Sequence, residues 1–182
     1  MSRPEQSPSR ESGHESQRSN GFIFDNLRLV VYDFDGVMTD NRVLVSQDGT
    51  ESVFCHRGDG WGVGMIRRQG IEQVILSTET NPVVMARAKK LGLECVHGSG
   101  DKLASLKDLL DERGIAPENV LYVGNDMNDY DAMTFCGFAV APADAHEGIL
   151  RIADMVTKAE GGKGVVRELA DFLKNRHAGL FA

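Results

Sequence analysis

The chain alternates short apolar runs with longer stretches of helical periodicity, and this alternation constrains its fold more than any other feature. It predicts strands at 27–34, 72–78, 93–97, 119–123, 137–141 and 155–156, and helices at 59–69, 81–92, 101–114, 129–136, 145–152 and 164–174. Strands joined through helices of this length pair in parallel, with the crossover helices on both faces of one sheet. The sequence therefore predicts an α/β fold.

One segment departs from this alternation, because two strand-like runs follow the first strand without a helix between them. RVLVS at 42–46 and TESVFCH at 50–56 flank the tripeptide Gln47-Asp48-Gly49. An Asp-Gly pair supports the tight turn that joins antiparallel strands. We therefore expect a β-hairpin inserted after the first strand.

Composition limits the classes of function. The 182 residues suit one well-buried core, and the formal net charge of −7 argues against a nucleic-acid surface. No apolar run approaches the ~20 residues of a membrane-spanning helix, so no membrane partner is expected. The cysteines Cys55, Cys95 and Cys136 have no metal or disulfide spacing, which favours a reduced, cytoplasmic protein.

The first 21 residues differ from the rest in composition. They are rich in Ser, Glu, Arg and Pro and contain no strong apolar residue after Met1, so they cannot bury enough surface to order themselves. We expect 1–21 to be a disordered tail or a linker within a longer protein, and 22–182 to be the globular domain.

Polar side chains follow the predicted strands where ligands bind in open parallel sheets, at the carboxyl ends. In chain order they are Asp33 and Asp35, Ser77 and Thr78, the helix start at Asp101 and Lys102, and then Asn125, Asp126 and Asp129. Clustered carboxylates repel one another unless a cation lies among them, and a set of oxygen ligands without Cys or His suits Mg²⁺. A hydroxyl and a lysine suit the oxygens of a phosphoryl group.

This set of residues predicts phosphoryl transfer. Asp33 would attack phosphorus and form an aspartyl-phosphate, while Asp35 would protonate the leaving group and later deprotonate water. Ser77 and Lys102 would bind the phosphoryl oxygens. The metal ligands would be Asp33 and Asp35 with Asn125 and Asp126, and the spacing leaves open which of the last two faces the ion. Taken alone, Ser77 or Lys102 is equally typical of an ordinary helix start.

The same residues carry a resemblance to a known family. DFDGVMTD at 33–40, Ser77 after a strand, Lys102, and GNDMND at 124–129 resemble the four motifs of the haloacid dehalogenase superfamily. The hairpin, RGDGWG at 57–62, GSGDKLASL at 98–106, PADAHEG and GGKGVVRE are similar to one branch of it. That branch contains 3-deoxy-manno-octulosonate 8-phosphate phosphatases, phosphatases of nine-carbon sugar acids, and carboxy-terminal domains of acylneuraminate cytidylyltransferases.

The resemblance implies a Rossmann-like domain without a cap domain, assembled as a homotetramer in which the hairpin at 41–56 reaches a neighbour's site. It implies an Mg²⁺-dependent phosphatase of a 2-keto-3-deoxy sugar acid, with a sugar phosphate as substrate. Substrate contacts are expected from Thr78 and Glu79, and from Arg57 and Asp59 unless these two are plain surface charges.

The chain also departs from the pattern of this branch. Asn125 stands where its phosphatases usually carry an acid, which should weaken metal binding. Thr78-Glu79 replaces the Gly-Arg typical of octulosonate phosphatases, which favours a nonulosonate 9-phosphate. The alternative is a weakly active or non-catalytic tetramerisation domain associated with an acylneuraminate cytidylyltransferase. A receiver domain is disfavoured because both acids flank Phe34, and a phosphomutase would usually need a cap.

Overall fold

A computed structural model describes residues 22–177, and its centre is a six-stranded parallel sheet. The strands are β1 (Leu29–Tyr32), β4 (Glu72–Leu76), β5 (Glu94–Val96), β6 (Val120–Val123), β7 (Phe138–Ala141) and β8 (Met155–Val156), and their order in the sheet is β5-β4-β1-β6-β7-β8. β1 pairs in parallel with both β4 and β6. The chain therefore builds one half of the sheet outward from β1, then returns to build the other half, and the predicted α/β fold is confirmed.

Helices connect these strands and lie close to their predicted positions. They are α1 (Arg57–Arg67), α2 (Pro82–Leu91), α3 (Lys102–Arg113), α4 (Tyr130–Phe135), α5 (Glu147–Leu150) and α6 (Val165–His177). Asn81 caps the start of α2, where its side chain accepts a hydrogen bond from Val83 N at 3.0 Å. Gly92 ends the same helix at φ 64°, a left-handed conformation that glycine adopts without strain.

Alternate residues of β1 face two separate cores, one on each side of the sheet. Val30 and Tyr32 pack with α1, α2 and α6, whereas Leu29 and Val31 pack with α3, α4 and α5. All four side chains are fully buried. Burial on both faces explains why the strand is an unbroken apolar run, and it confirms that helices cover both faces of the sheet.

The predicted hairpin is present between β1 and α1. β2 (Thr39–Val45) pairs antiparallel with β3 (Glu51–Cys55), and Gly49 adopts φ 81° in the turn. Its strands expose Val43, Leu44, Val45 and Phe54 to solvent, with Phe54 68% exposed. A two-stranded ribbon with exposed apolar side chains is only marginally stable by itself.

The first described residues belong to the globular domain. Phe22 and Phe24 contact each other and Phe138 at ring-centroid distances of 4.9 to 5.1 Å, and Phe24 also contacts Phe172. The tail predicted for 1–21 and the last residues, 178–182, lie outside the described residues, so the proposed boundaries of 1–21 and 22–182 stay predictions. None of the helices in 22–177 combines the length and apolar character needed to cross a membrane.

Candidate active site

The strand-end residues meet around one cavity of about 330 Å³ at the carboxyl edge of the sheet. The loops after β1, β4 and β6 supply its walls, which are formed by Asp33, Asp35, Asn41, Ser77, Thr78, Asn125, Asp126 and Asn128. β1 and β6 are neighbours at the point where the strand order reverses, the usual position of a ligand site in open α/β sheets. The structure thus brings together most of the predicted site residues.

Lys102 joins two buried carboxylates behind this cavity. Its Nζ lies 2.8 Å from Asp33 Oδ1 and 2.7 Å from Asp129 Oδ1, and all three side chains are buried. Burial alone would lower the pKa of Lys102, but the charges of Asp33 and Asp129 outweigh this effect and raise the pKa. Lys102 is therefore a fixed cation that holds the Asp33 carboxylate in one orientation.

Asp129 organises the loop after β6 and lies behind the cavity instead of lining it. Tyr122 donates its hydroxyl to Asp129 Oδ1 at 3.0 Å, while the backbone N–H groups of Asn125 and Asp126 donate to Oδ2 at 3.0 and 3.3 Å. Both carboxylate oxygens are thus occupied by the protein itself. Asp129 positions Lys102 and the Asn125 backbone.

Asp33 is the carboxylate that the fold presents to the cavity. Burial raises its pKa, the charge of Asp129 raises it further, and Lys102 opposes both effects. Oδ1 is held by Lys102 and by the N–H of Phe34, which donates at 2.7 Å. The other oxygen, Oδ2, faces the cavity side of the loop after β6, where a cation would favour the ionised form.

Asp35 is half-buried at the edge of the same cavity. Its Oδ1 accepts a hydrogen bond from Thr39 Oγ1 at 3.2 Å. Burial raises the pKa of Asp35, and the hydrogen bond from Thr39 opposes that rise. The negative charges of Glu79 and Glu51 raise the pKa further. A carboxyl group with a raised pKa beside a cavity is suited to giving and taking a proton.

The loop after β4 carries the hydroxyl and leads into a second cavity. Ser77 is buried, and its Oγ accepts a bond from Glu79 N at 3.1 Å, which leaves its hydrogen free to donate. The second cavity, of about 350 Å³, shares Asp35, Asn41 and Thr78 with the first. Its other walls come from the hairpin and from the start of α2: Arg42, Val43, Glu51, Val53, Glu79, Asn81 and Val83.

Three polar groups meet at one point between β1 and β6. The end of the Asn125 amide that faces β1 lies 3.1 Å from Asp33 Oδ2 and 2.9 Å from the backbone carbonyl oxygen of Asp35, and an NH₂ group at that end donates to both oxygens. Adjacent ligands of Mg²⁺ at about 2.1 Å from the ion are about 3.0 Å apart. With the amide turned so that its oxygen faces the same point, the spacing and the oxygen chemistry of this set fit Mg²⁺.

The groups that surround this point are not the cluster of carboxylates that the sequence predicted. The backbone carbonyl of Asp35 faces this point, whereas its carboxylate accepts a hydrogen bond from Thr39. Asp126 is exposed and its Oδ1 accepts from Met127 N at 2.7 Å, so its predicted ligation stays a prediction. Among residues 22–177, no group of three or more His, Cys, Asp or Glu side chains is placed to hold a metal ion.

Asp59 and Arg57 do not reach either cavity of their own chain. Asp59 is fully buried, and its Oδ1 accepts a bond from Arg167 N at 3.2 Å in the first turn of α6. The expectation that Asp59 contacts substrate is therefore corrected, since its carboxylate joins α1 to α6 inside the fold. Arg57 is exposed at the first residue of α1, and its substrate contact stays a prediction.

Sequence reasoning missed Asn41, which lines both cavities. Its backbone is left-handed, at φ 59°, the one such non-glycine conformation in the described part of the chain. Asn tolerates this conformation better than most residues. An Asn directly after the first motif, at the start of the predicted hairpin, was the available signal, and it was not used.

Comparison with known proteins agrees with this geometry. Residues 67–169 match the family model of haloacid dehalogenase-like hydrolases. The chain is 38% identical over 150 residues to the 3-deoxy-D-manno-octulosonate 8-phosphate phosphatase of Escherichia coli. The matched region covers 82% of this chain and 80% of that protein.

Two solved structures have closely similar folds. A protein from Streptomyces avermitilis described as a HAD family hydrolase is 49% identical with a TM-score of 0.80, over 81% of this chain and 85% of that one. The 3-deoxy-D-manno-octulosonate 8-phosphate phosphatase of Moraxella catarrhalis, solved with magnesium, phosphate and its sugar acid, is 28% identical with a TM-score of 0.80, over 86% of this chain and 93% of that one. This chain belongs to the haloacid dehalogenase-like hydrolases.

Proposed function

We propose that this protein is an Mg²⁺-dependent phosphatase that hydrolyses the phosphate monoester of a 2-keto-3-deoxy sugar acid. One observation carries the proposal: Asp33 presents Oδ2 to a point that fits Mg²⁺ while Lys102 holds its Oδ1 at 2.8 Å. A carboxylate fixed in this way is oriented for attack on phosphorus. The similarity to octulosonate phosphatases supports the same chemistry.

The reaction proceeds in two displacements at phosphorus. Asp33 forms a new P–O bond as the bond to the sugar oxygen breaks, and Asp35 gives its proton to that departing oxygen. Water then attacks the aspartyl-phosphate, Asp35 takes a proton from the water, and the Asp33 carboxylate is released with inorganic phosphate. Mg²⁺ bound beside Asp33 supplies positive charge that offsets the repulsion between carboxylate and phosphate.

Ser77 binds the transferring group, and Lys102 acts on it through Asp33. The free hydrogen of Ser77 can donate to one phosphoryl oxygen, because Ser77 Oγ already accepts from Glu79 N. Lys102 contributes its positive charge from behind Asp33, where it also limits the build-up of negative charge. Asn125 would supply an amide oxygen to a bound ion, and Asp126 at the cavity mouth would be available as a further ligand through water.

The second cavity holds the sugar. Thr78 lines both cavities and Glu79 lines the second, so both stand where the leaving group must lie once the phosphate is beside Asp33. The walls of this second cavity include two acids, Glu51 and Glu79, which suit the hydroxyl groups of a sugar. An octulosonate 8-phosphate or a nonulosonate 9-phosphate is the proposed substrate, with Glu79 favouring the nine-carbon sugar.

A homotetramer is part of this proposal. The exposed apolar residues of the hairpin border the second cavity, which Val43 and Val53 help to line. Pairing of these hairpins between subunits would bury them and close the site against water. A cytoplasmic location is also proposed, supported by three free cysteines.

Phosphate release from a panel of sugar phosphates tests the function. We expect Mg²⁺-dependent release from octulosonate 8-phosphate or nonulosonate 9-phosphate that exceeds release from glucose 6-phosphate. Asp33→Asn should abolish it, and Asp108→Asn, a matched change at an exposed position of α3, should not. An absence of Mg²⁺-dependent release above the level of Asp33→Asn would overturn the phosphatase and favour the weakly active or non-catalytic tetramerisation domain.

A further inference from the structure

The amide of Asn125 occupies an unusual position for a neutral side chain. One end of it lies within 3.1 Å of two acceptors, Asp33 Oδ2 and the Asp35 carbonyl oxygen. If that end is the amide oxygen, three acceptors face one another, an arrangement that requires a cation between them. If the amide turns by half a rotation, its NH₂ group occupies the same place and donates a hydrogen bond to both oxygens.

The surrounding structure restricts any change to this rotation. The Asn125 N–H donates to Asp129 Oδ2 at 3.0 Å, and its carbonyl oxygen accepts from His146 N at 2.8 Å, so both backbone groups are held. Gly36 packs directly against the amide, where a Cβ would lie 1.9 Å from Nδ2. The two orientations of a planar amide occupy nearly the same volume, so both fit this tight packing, and the turn between them needs only a transient displacement of the neighbouring loop.

We propose that Asn125 is an ion-responsive amide. Without Mg²⁺ its NH₂ group bridges Asp33 and the Asp35 carbonyl, and on ion binding it turns its oxygen toward the ion. The inference rests on the proposed function, since it assumes that Mg²⁺ binds at this point. An ionised carboxylate at the same position could only accept hydrogen bonds, so it would face two other acceptors whenever no ion is bound. Asn125 avoids this repulsion but binds the ion less tightly than a carboxylate would.

Replacing Asn125 by the isosteric Asp tests whether the side-chain NH₂ group faces Asp33 when no ion is bound. With chelator, Asn125→Asp should have a lower Tm than the wild type, because a carboxyl group replaces the NH₂ donor between Asp33 Oδ2 and the Asp35 carbonyl oxygen and adds negative charge beside Asp33. Its dissociation constant for Mg²⁺ by titration calorimetry should be tighter, on the order of tenfold, because ligand charge governs affinity for hard cations. Asn128→Asp adds the same charge at the exposed mouth of the same cavity and should leave the ion-free Tm unchanged.

The wild-type amide can also be followed directly. In ¹⁵N-labelled protein, the side-chain NH₂ resonances of Asn125, assigned by their loss in Asn125→Ala, should show slow hydrogen exchange without Mg²⁺. Saturating Mg²⁺ should shift them and speed their exchange, because the NH₂ group then leaves its two acceptors. This measurement does not depend on whether Asn125→Asp folds.

The outcomes distinguish the two proposals. Mg²⁺ binding and turnover with unchanged Asn125 resonances, or an Asn125→Asp protein as stable without the ion as the wild type, would overturn the rotating amide and leave the phosphatase intact. A wild type that binds no Mg²⁺ in calorimetry would overturn the ion site, and the inference with it.

Discussion

Asp59→Asn is expected to change how stability depends on pH. Asp59 is 0% exposed, its Oδ1 accepts from Arg167 N, and its Oδ2 has no hydrogen-bond partner among the described residues. Burial is the main cause that raises its pKa from 3.8 to about 6. The folded protein therefore holds an acid that ionises against the preference of its surroundings.

The sign and size of the effect follow from linkage between protonation and folding. Between pH 4 and 6 the folded chain retains a proton that the unfolded chain has released, so raising the pH through this window lowers stability. Above about pH 6 the full penalty is present. At about 1.4 kcal/mol per pKa unit, the rise from 3.8 to about 6 corresponds to about 3 kcal/mol. The asparagine keeps an oxygen for Arg167 N and carries no such penalty.

Urea denaturation from pH 4 to pH 8 at one protein concentration measures this difference. The free energy of unfolding of Asp59→Asn, relative to the wild type, should increase by about 3 kcal/mol between pH 4 and 7, or roughly 6–12 °C in Tm. Groups shared by both proteins cancel in the comparison. For Asp108→Asn, on the exposed side of α3, the difference in the free energy of unfolding from the wild type should be constant with pH. A constant difference for Asp59→Asn as well would refute the buried, ionised Asp59.

Other perturbations test the rest of the structure. Lys102→Met leaves two buried carboxylates facing each other and should lower the free energy of unfolding by about 3–5 kcal/mol, measured in urea. Gly162→Ala should lower the Tm more than Gly49→Ala, because both glycines have positive φ but only at Gly162 would a Cβ collide, 2.4 Å from Asp40 N. Phe54→Glu, at an exposed hairpin position, should shift the mass measured by light scattering toward the monomer, and an unchanged mass would place the interface elsewhere.

Much of the fold could be predicted because local signals and long-range packing agree. A strand buried on both faces must be apolar throughout, which made β1 and β6 visible as runs. Asn81 with Pro82 starts α2 and Gly92 ends it, as capping preferences require. Parallel pairing then places all strand ends at one edge, so Asp33, Ser77 and Asn125 could be assigned to one site before any coordinates.

The role of each carboxylate could not be predicted in the same way. Spacing places Asp33 and Asp35 together, but it does not decide whether a side-chain oxygen or a backbone oxygen faces the ion position. In the structure the Thr39 hydroxyl donates to the Asp35 carboxylate, and the Asp35 carbonyl oxygen faces Asn125. The structural role of Asp59 could not be predicted, because its partner, Arg167 N, lies 108 residues away in the chain.

The segment before α6 links the contact between Asp59 and Arg167 to the loop of the candidate active site. Gly162 N donates to the Val37 carbonyl at 3.1 Å, and a Cβ on Gly161 would lie 2.2 Å from the Gly36 carbonyl oxygen, so this segment packs directly against the loop that follows Asp35. α6 begins at Val165, and Asp59 accepts a bond from its first turn. The loop that carries Asp33 and Asp35 therefore packs against the segment at Gly161 and Gly162. The position of that segment depends on how α6 packs against the rest of the domain. Because Asp59 contributes to that docking, its ionisation should affect the site through packing, without any contact with substrate.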